Sequence, residues 1–147
     1  MQHIKIKKYT NSLIMKKLFF LLMLIPTLLM AESLSFYAGH YYGAIIIANK
    51  FKNSECPPPK KNTIPSVKVA EREILTYLSS SKKTEFLKFK NSTHLQNQIK
   101  KTWDLIEVGM NEMLSAGIDC IEVQGLYLWP PFHSSTIQWE KAKLQAR

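Results

Sequence analysis

Apolar positions recur at helical spacing in several separate stretches of the chain. In residues 34–52, Phe36, His40, Gly43, Ile47 and Phe51 follow one another at three- and four-residue steps, which predicts a helix. Gly39 and Gly43 stand one turn apart within it, and Ala44 and Ala48 continue a strip of small residues suited to close packing. A mid-helix glycine costs about 1 kcal/mol relative to alanine, so two of them imply a steric reason. A second helix is predicted from Val67 to Leu78, with Ser66 as N-cap and Val67, Ala70, Ile74 and Leu78 as its apolar stripe. Lys68, Glu71, Arg72 and Glu73 are expected to face water. Ser79–Lys83 reads as a break, and Thr84–Lys90 as a short helical turn that carries its aromatics inward.

The longest periodic run extends from Thr93 to Ala116. Leu95, Ile99, Trp103, Ile106, Met110 and Met113 hold a 3.6-residue rhythm, Ser92 or Thr93 is the expected cap, and Gly117 fits the C′ position. Beyond Cys120 the pattern changes. Ile121-Glu122-Val123-Gln124 alternates like a short strand, Trp129-Pro130-Pro131-Phe132 reads as extended, and Ser135–Arg147 reads as a weakly amphipathic final helix. Between the first two helices, Cys56-Pro57-Pro58-Pro59 belongs to a loop stiffened by its prolines. The architecture expected from these patterns is all-α. It is a small bundle of about four helices in a domain spanning residues 32–120, followed by an irregular tail over residues 121–147.

Composition changes the picture mainly at the N-terminus. The formal charge of +9 is uneven, because residues 1–31 hold five lysines and no acids, while the other 116 residues carry 15 basic and 11 acidic groups. Lys16-Lys17, the apolar run from Leu18 to Met30 and then Ala31 have the form of a signal peptide over residues 1–31, with residues 1–14 as an upstream extension of a leader beginning at Met15. Thirteen apolar residues are short of the roughly 20 that a membrane span needs. An uncleaved anchor is the alternative, since Leu29 occupies a position where a small residue is preferred. The expected location is therefore periplasmic or secreted, with no stable membrane span once the leader is removed.

Export in turn decides how the two cysteines read. In an oxidising compartment Cys56 and Cys120 are expected to form a disulfide, which would close a loop of 64 residues and stabilise by roughly 4 kcal/mol in the chain-entropy account. Neither cysteine has a second Cys or a His at ligand spacing, so no metal site and no cofactor are expected. His40, His94 and His133 are scattered, and neither a serine-nucleophile motif nor a phosphate-binding loop occurs. The acidic pairs Glu71/Glu73 and Asp104/Glu107 read as solvated helix faces. No catalytic residue is assigned. The polar-aromatic group Tyr37, His40 and Tyr41 is the candidate binding or packing cluster, with a satisfied core histidine as its plain reading. A modest basic excess over the later residues does not call for nucleic acid.

The order of features also resembles a known family. The first helix is written Phe36-Tyr37-Ala38-Gly39-x-x-x-Gly43, then come Cys56-Pro57 and a loop, a helix ending Tyr77-Leu78, and a long helix closed by Cys120. Over about residues 34–120 this is similar to the Rap/Tai family of periplasmic immunity proteins, which protect bacteria from peptidoglycan-amidase toxins delivered by type VI secretion. The chain departs from that pattern in having only two cysteines, in carrying Gly117-Ile118-Asp119 before the closing one, and in the 27 residues that follow it. The resemblance implies a small helical protein that plugs the active site of a secreted cell-wall amidase, often as a homodimer, with no catalysis of its own. Two other functions fit the residues alone: a periplasmic chaperone or envelope-assembly binding factor, and a small hydrolase using His40.

Overall fold

The structure, a computed structural model, describes residues 34–61 and 63–146, so the leader expected over residues 1–31 lies outside the described residues. They form six helices and no strand: α1 (Leu34–Phe51), α2 (Val67–Tyr77), α3 (Ser80–Lys90), α4 (Thr93–Ser115), α5 (Cys120–Tyr127) and α6 (Trp129–Gln145). The all-α expectation holds, and all four helices expected before Cys120 are present.

Helix α1 is the centre of the bundle, and α2, α3, α4 and α6 all pack on it. Its sequence explains this, because no Asp, Glu, Lys or Arg occurs before Lys50. A helix that is apolar around most of its circumference must be covered on most sides. Ala38, Tyr41, Tyr42, Ile45, Ile47, Ala48 and Phe51 are buried. The predicted stripe through Phe36, His40 and Gly43 is instead the half-buried side. Spacing alone could not choose a face on so uniformly apolar a helix. The aromatic side chains then distribute contacts among the neighbours. Tyr41 stacks on Trp139 of α6 at 5.8 Å, Tyr42 meets Phe86 of α3 edge-on at 5.3 Å, and Phe51 meets Trp103 of α4 edge-on at 5.2 Å.

Local signals set several helix ends. Ser66 accepts a hydrogen bond from the Val69 amide at 3.2 Å, and Ser92 accepts one from the Leu95 amide at 3.2 Å, so both predicted caps operate. Gly117 has φ +79°, and the amides of Gly117 and Ile118 donate to the carbonyls of Leu114 and Met113, a Schellman ending for α4. Within α4 the buried positions are Leu95, Ile99, Thr102, Ile106, Gly109, Met110 and Met113. Trp103, expected on this stripe, is only half-buried, with Lys50 over its ring at 5.7 Å. The Ser79–Lys83 stretch does not stay a break; after Ser79 the chain re-enters a helix directly as α3.

The irregular tail is corrected to two helices. Asp119 caps α5 by accepting from the Glu122 amide at 3.0 Å. Val123, Gln124 and Tyr127 then point inward at three- and four-residue steps, so the apparent alternation of residues 121–124 is part of a helical pattern. Pro130 and Pro131, read as extended, sit in the first turn of α6, where a missing N–H costs no intrahelical bond. Helix α6 packs against α1 more extensively than any other described helix does. Residues 121–146 are thus part of the bundle.

The glycine strip on α1 plays a different part from the one expected. A Cβ built at Gly39 would come within 3.1 Å of the Phe89 ring, a side chain, whereas Gly43 has no atom within 4 Å. The tighter approach is at Gly109 of α4, whose Cβ would overlap the Tyr127 hydroxyl and lie 2.7 Å from its ring. Gly109→Ala should therefore lower stability by about 1–3 kcal/mol through overpacking, while Gly43→Ala should be neutral or stabilising by up to about 1 kcal/mol. Urea denaturation of the two variants reads the difference, and equal midpoints would contradict this packing.

Candidate functional site

The structure divides the predicted cluster of Tyr37, His40 and Tyr41. Tyr37 is half-buried with its ring edge-on to Phe36 at 5.1 Å. His40 is half-buried, stacks on Phe36, and its Nδ1 lies 3.0 Å from the hydroxyl of Ser135 on α6. Only Tyr41 enters the core. The Ser135–His40 pair has the residue types of a nucleophile and its base, but Ser135 is 2% exposed beneath α1, so its oxygen is closed to substrate. This contact joins α1 to α6.

Next to Tyr41 lies a larger polar-aromatic cluster. Lys143 of α6 donates to Glu73 of α2 and to Glu140 of α6, each at 2.6 Å, and the indole N–H of Trp139 donates to the same Glu73 oxygen at 3.1 Å. The Lys143 ammonium also lies 5.1 Å from the Tyr77 ring centroid and 5.7 Å from that of Trp139. Trp139 is fully buried and the Lys143 side chain is 10% exposed. A buried ammonium is stable here because two carboxylates and two ring faces replace its water. Glu71 is similarly half-buried and accepts from Lys90 of α3 at 2.6 Å. The solvated face expected for Glu71 and Glu73 is thus corrected to two inter-helix ion pairs. Asp104 and Glu107 are exposed as expected, with Asp104 paired to Lys100 on the same helix.

A third group surrounds the cysteines. Cys56 and Cys120 come together at disulfide distance, with 5.0 Å between their Cα atoms. Four residues into α5, the buried Gln124 side chain donates to the carbonyls of Cys56 (3.1 Å) and Pro57 (2.9 Å). Two further bonds hold the same loop at its other end, from Asn49 to the Pro65 carbonyl (2.8 Å) and from Lys52 to the Ile64 carbonyl (3.1 Å). Stiff prolines with few internal bonds are thereby fixed from outside the loop. Sequence reasoning missed Gln124, Glu73 and Lys143. The available signal for Gln124 was the Asp119-x-x-Glu122 spacing, which marks a helix start and would have placed Gln124 on the inner face.

Between α1, α4, α5 and α6 lies an apolar crevice bordered by Ala44, Ile47, Thr102, Ile106, Leu128 and Phe132. At about 20 Å³ it has room for one water. Among the described residues no group of three or more His, Cys, Asp or Glu could hold a metal ion, and no helix is long and apolar enough to cross a membrane. The chain matches no protein-family model, no curated protein and no solved structure.

The ionisable groups of the cluster give a pH dependence. Burial pushes the Tyr41 hydroxyl up to about 12, and the Glu73 carboxylate adds to the effect. For Lys143, burial favours the neutral amine, but the hydrogen bonds it donates to Glu140 and Glu73 outweigh it and hold the ammonium above its ordinary value. In both cases the folded protein keeps a proton that the unfolded chain loses first, so stability falls as pH rises through that window. Urea midpoints should be level from about pH 7 to 9 and fall above about pH 10, with the Tyr41 contribution reaching roughly 2 kcal/mol near pH 12. Tyr41→Phe should remove part of that fall, and a midpoint unchanged through the alkaline range would contradict the assignment.

Proposed function

We propose that this protein is an exported helical binding protein that acts as an immunity factor, blocking a secreted peptidoglycan amidase in the periplasm. The observation that carries the reading is the Cys56–Cys120 pair in a body made of helices among its described residues. The pair ties the loop after α1 to the start of α5. A cross-link there gives its full benefit only in an oxidising compartment, where the leader-like residues 1–31 would deliver the chain. The order of motifs, which resembles that of the Rap/Tai family, suggests the partner class. A rigid binder suits this role, since a surface already ordered before association loses less entropy on docking.

A chaperone would need a contiguous apolar surface for clients. The exposed large apolar residues Val69, Leu87, Val108, Ile121, Ile137 and Leu144 are instead spread over five helices, which favours the specific binder.

The test is co-production in the periplasm with the amidase encoded beside its gene. Cells making the amidase should survive only when the chain is present, and the purified chain should suppress cleavage of peptidoglycan. Non-reducing mass spectrometry of the same material should find a chain beginning at Glu32 with Cys56 and Cys120 joined. Lysis regardless of the chain, or two free thiols on an unexported chain, would overturn the proposal.

A further inference from the structure

The charges of the molecule are segregated in a way that net charge conceals. Residues 50–90 hold ten Lys or Arg and four acids, whereas residues 102–140 hold six acids and no Lys or Arg at all. The structure sharpens the contrast. Three of the four acids in residues 50–90 are already neutralised: Glu71 by Lys90, Glu73 by Lys143 and Glu85 by Lys82. Lys60, Lys61, Lys68, Arg72, Lys83 and Lys88 are exposed, and none of them forms an ion pair with a described residue. The exposed carboxylates Glu107, Glu112, Asp119 and Glu122 lie on α4, on α5 and at the turn between them.

Four of these cations fall on two neighbouring helices, while Lys60 and Lys61 lie in the loop before α2. Lys68 and Arg72 occupy the outer face of α2, opposite its buried Ala70 and Ile74. Lys83 and Lys88 are exposed on α3, which buries Phe86 against Tyr42. The Glu71–Lys90 pair bridges the two helices beside Tyr42, whose hydroxyl feels both charges. Among these cations sit two exposed apolar side chains, Val69 at 50% and Leu87 at 39%. Phe89, one residue beyond Lys88, packs on Gly39 just over one turn into α1.

We infer that the α2–α3 face is a peripheral docking surface for an anionic lipid bilayer. One observation favours a bilayer over a purely polar anionic partner. Phosphate or carboxylate charge alone gives no reward for Val69 and Leu87, whereas the acyl boundary beneath a headgroup layer does. The attraction is electrostatic and acts within a Debye length, so it is strong at low salt and lost as salt rises. The carboxylates of α4 and α5 lie elsewhere on the bundle and are repelled by the same surface, which orients the body with that side toward solution.

The experiment compares sedimentation of the full chain with vesicles of phosphatidylcholine alone and with vesicles containing about 30% phosphatidylglycerol, so that the leader contributes to both and the ratio reads the charged face. The full chain should favour the anionic vesicles roughly tenfold or more at low salt, and the preference should collapse above physiological salt. Lys68→Glu with Lys88→Glu should abolish most of it. Lys101→Glu with Lys141→Glu changes net charge by the same amount on α4 and α6 and should preserve it. Lys68→Gln with Lys88→Gln, gentler exchanges at exposed sites, should give an intermediate loss with unchanged helical circular dichroism. Equal losses from the two Glu pairs would show binding by net charge alone and overturn the inference. So would the absence of any vesicle preference, or tighter binding of a short DNA duplex with the same dependence on Lys68 and Lys88.

Discussion

Burial of α1 is the constraint on which the rest of the molecule depends. Its first sixteen residues, Leu34–Asn49, contain no Asp, Glu, Lys or Arg, and no helix with that surface is stable in water unless other helices cover it. Four helices do so, and three aromatic side chains of α1 assign the neighbours: Tyr41 to α6, Tyr42 to α3 and Phe51 to α4. A large buried side chain such as Trp139 or Phe51 is worth about 3–5 kcal/mol when truncated, comparable with the whole stability of a small domain. The bundle therefore depends on a few rings as much as on total apolar area.

Polar contacts determine how the covering helices are placed. Helix α6 is held by the Ser135–His40 contact near the start of α1 and by Lys143 with Glu73, which brings in α2. Helix α5 is held by Gln124 and by the adjacent cysteine pair, both acting on the loop that follows α1. Hydrophobic burial is non-directional, while these contacts are specific to one register. Together they explain why residues beyond Cys120, which look irregular by pattern, are ordered parts of the core.

How much of this is legible in the sequence follows from what each helix buries. Helices α2 and α4 have one apolar face and one polar face, with Ser66, Ser92 and Gly117 at their ends, so their positions and caps can be read directly. Helix α1 can be recognised as a helix but not oriented, because nearly every side is apolar. Helix α6 is the least legible, since its inner face includes Ser135 and Lys143, which look like surface residues until Glu73 and His40 are brought opposite them. The same reason hides the candidate site. Tyr37, His40 and Tyr41 are close in sequence, but only Tyr41 joins the buried cluster, and its partners come from α2 and α6.

The central role of α1 can be tested most directly by native-state hydrogen exchange. Amides of α1 between Tyr41 and Ala48 should be the slowest in the molecule, exchanging only through global unfolding, with a free energy equal to that from urea denaturation. Amides of α2 and α3, each packed on α1 from one side, should open more easily. Exchange from α1 as fast as from α3, at a free energy well below that of global unfolding, would contradict the account.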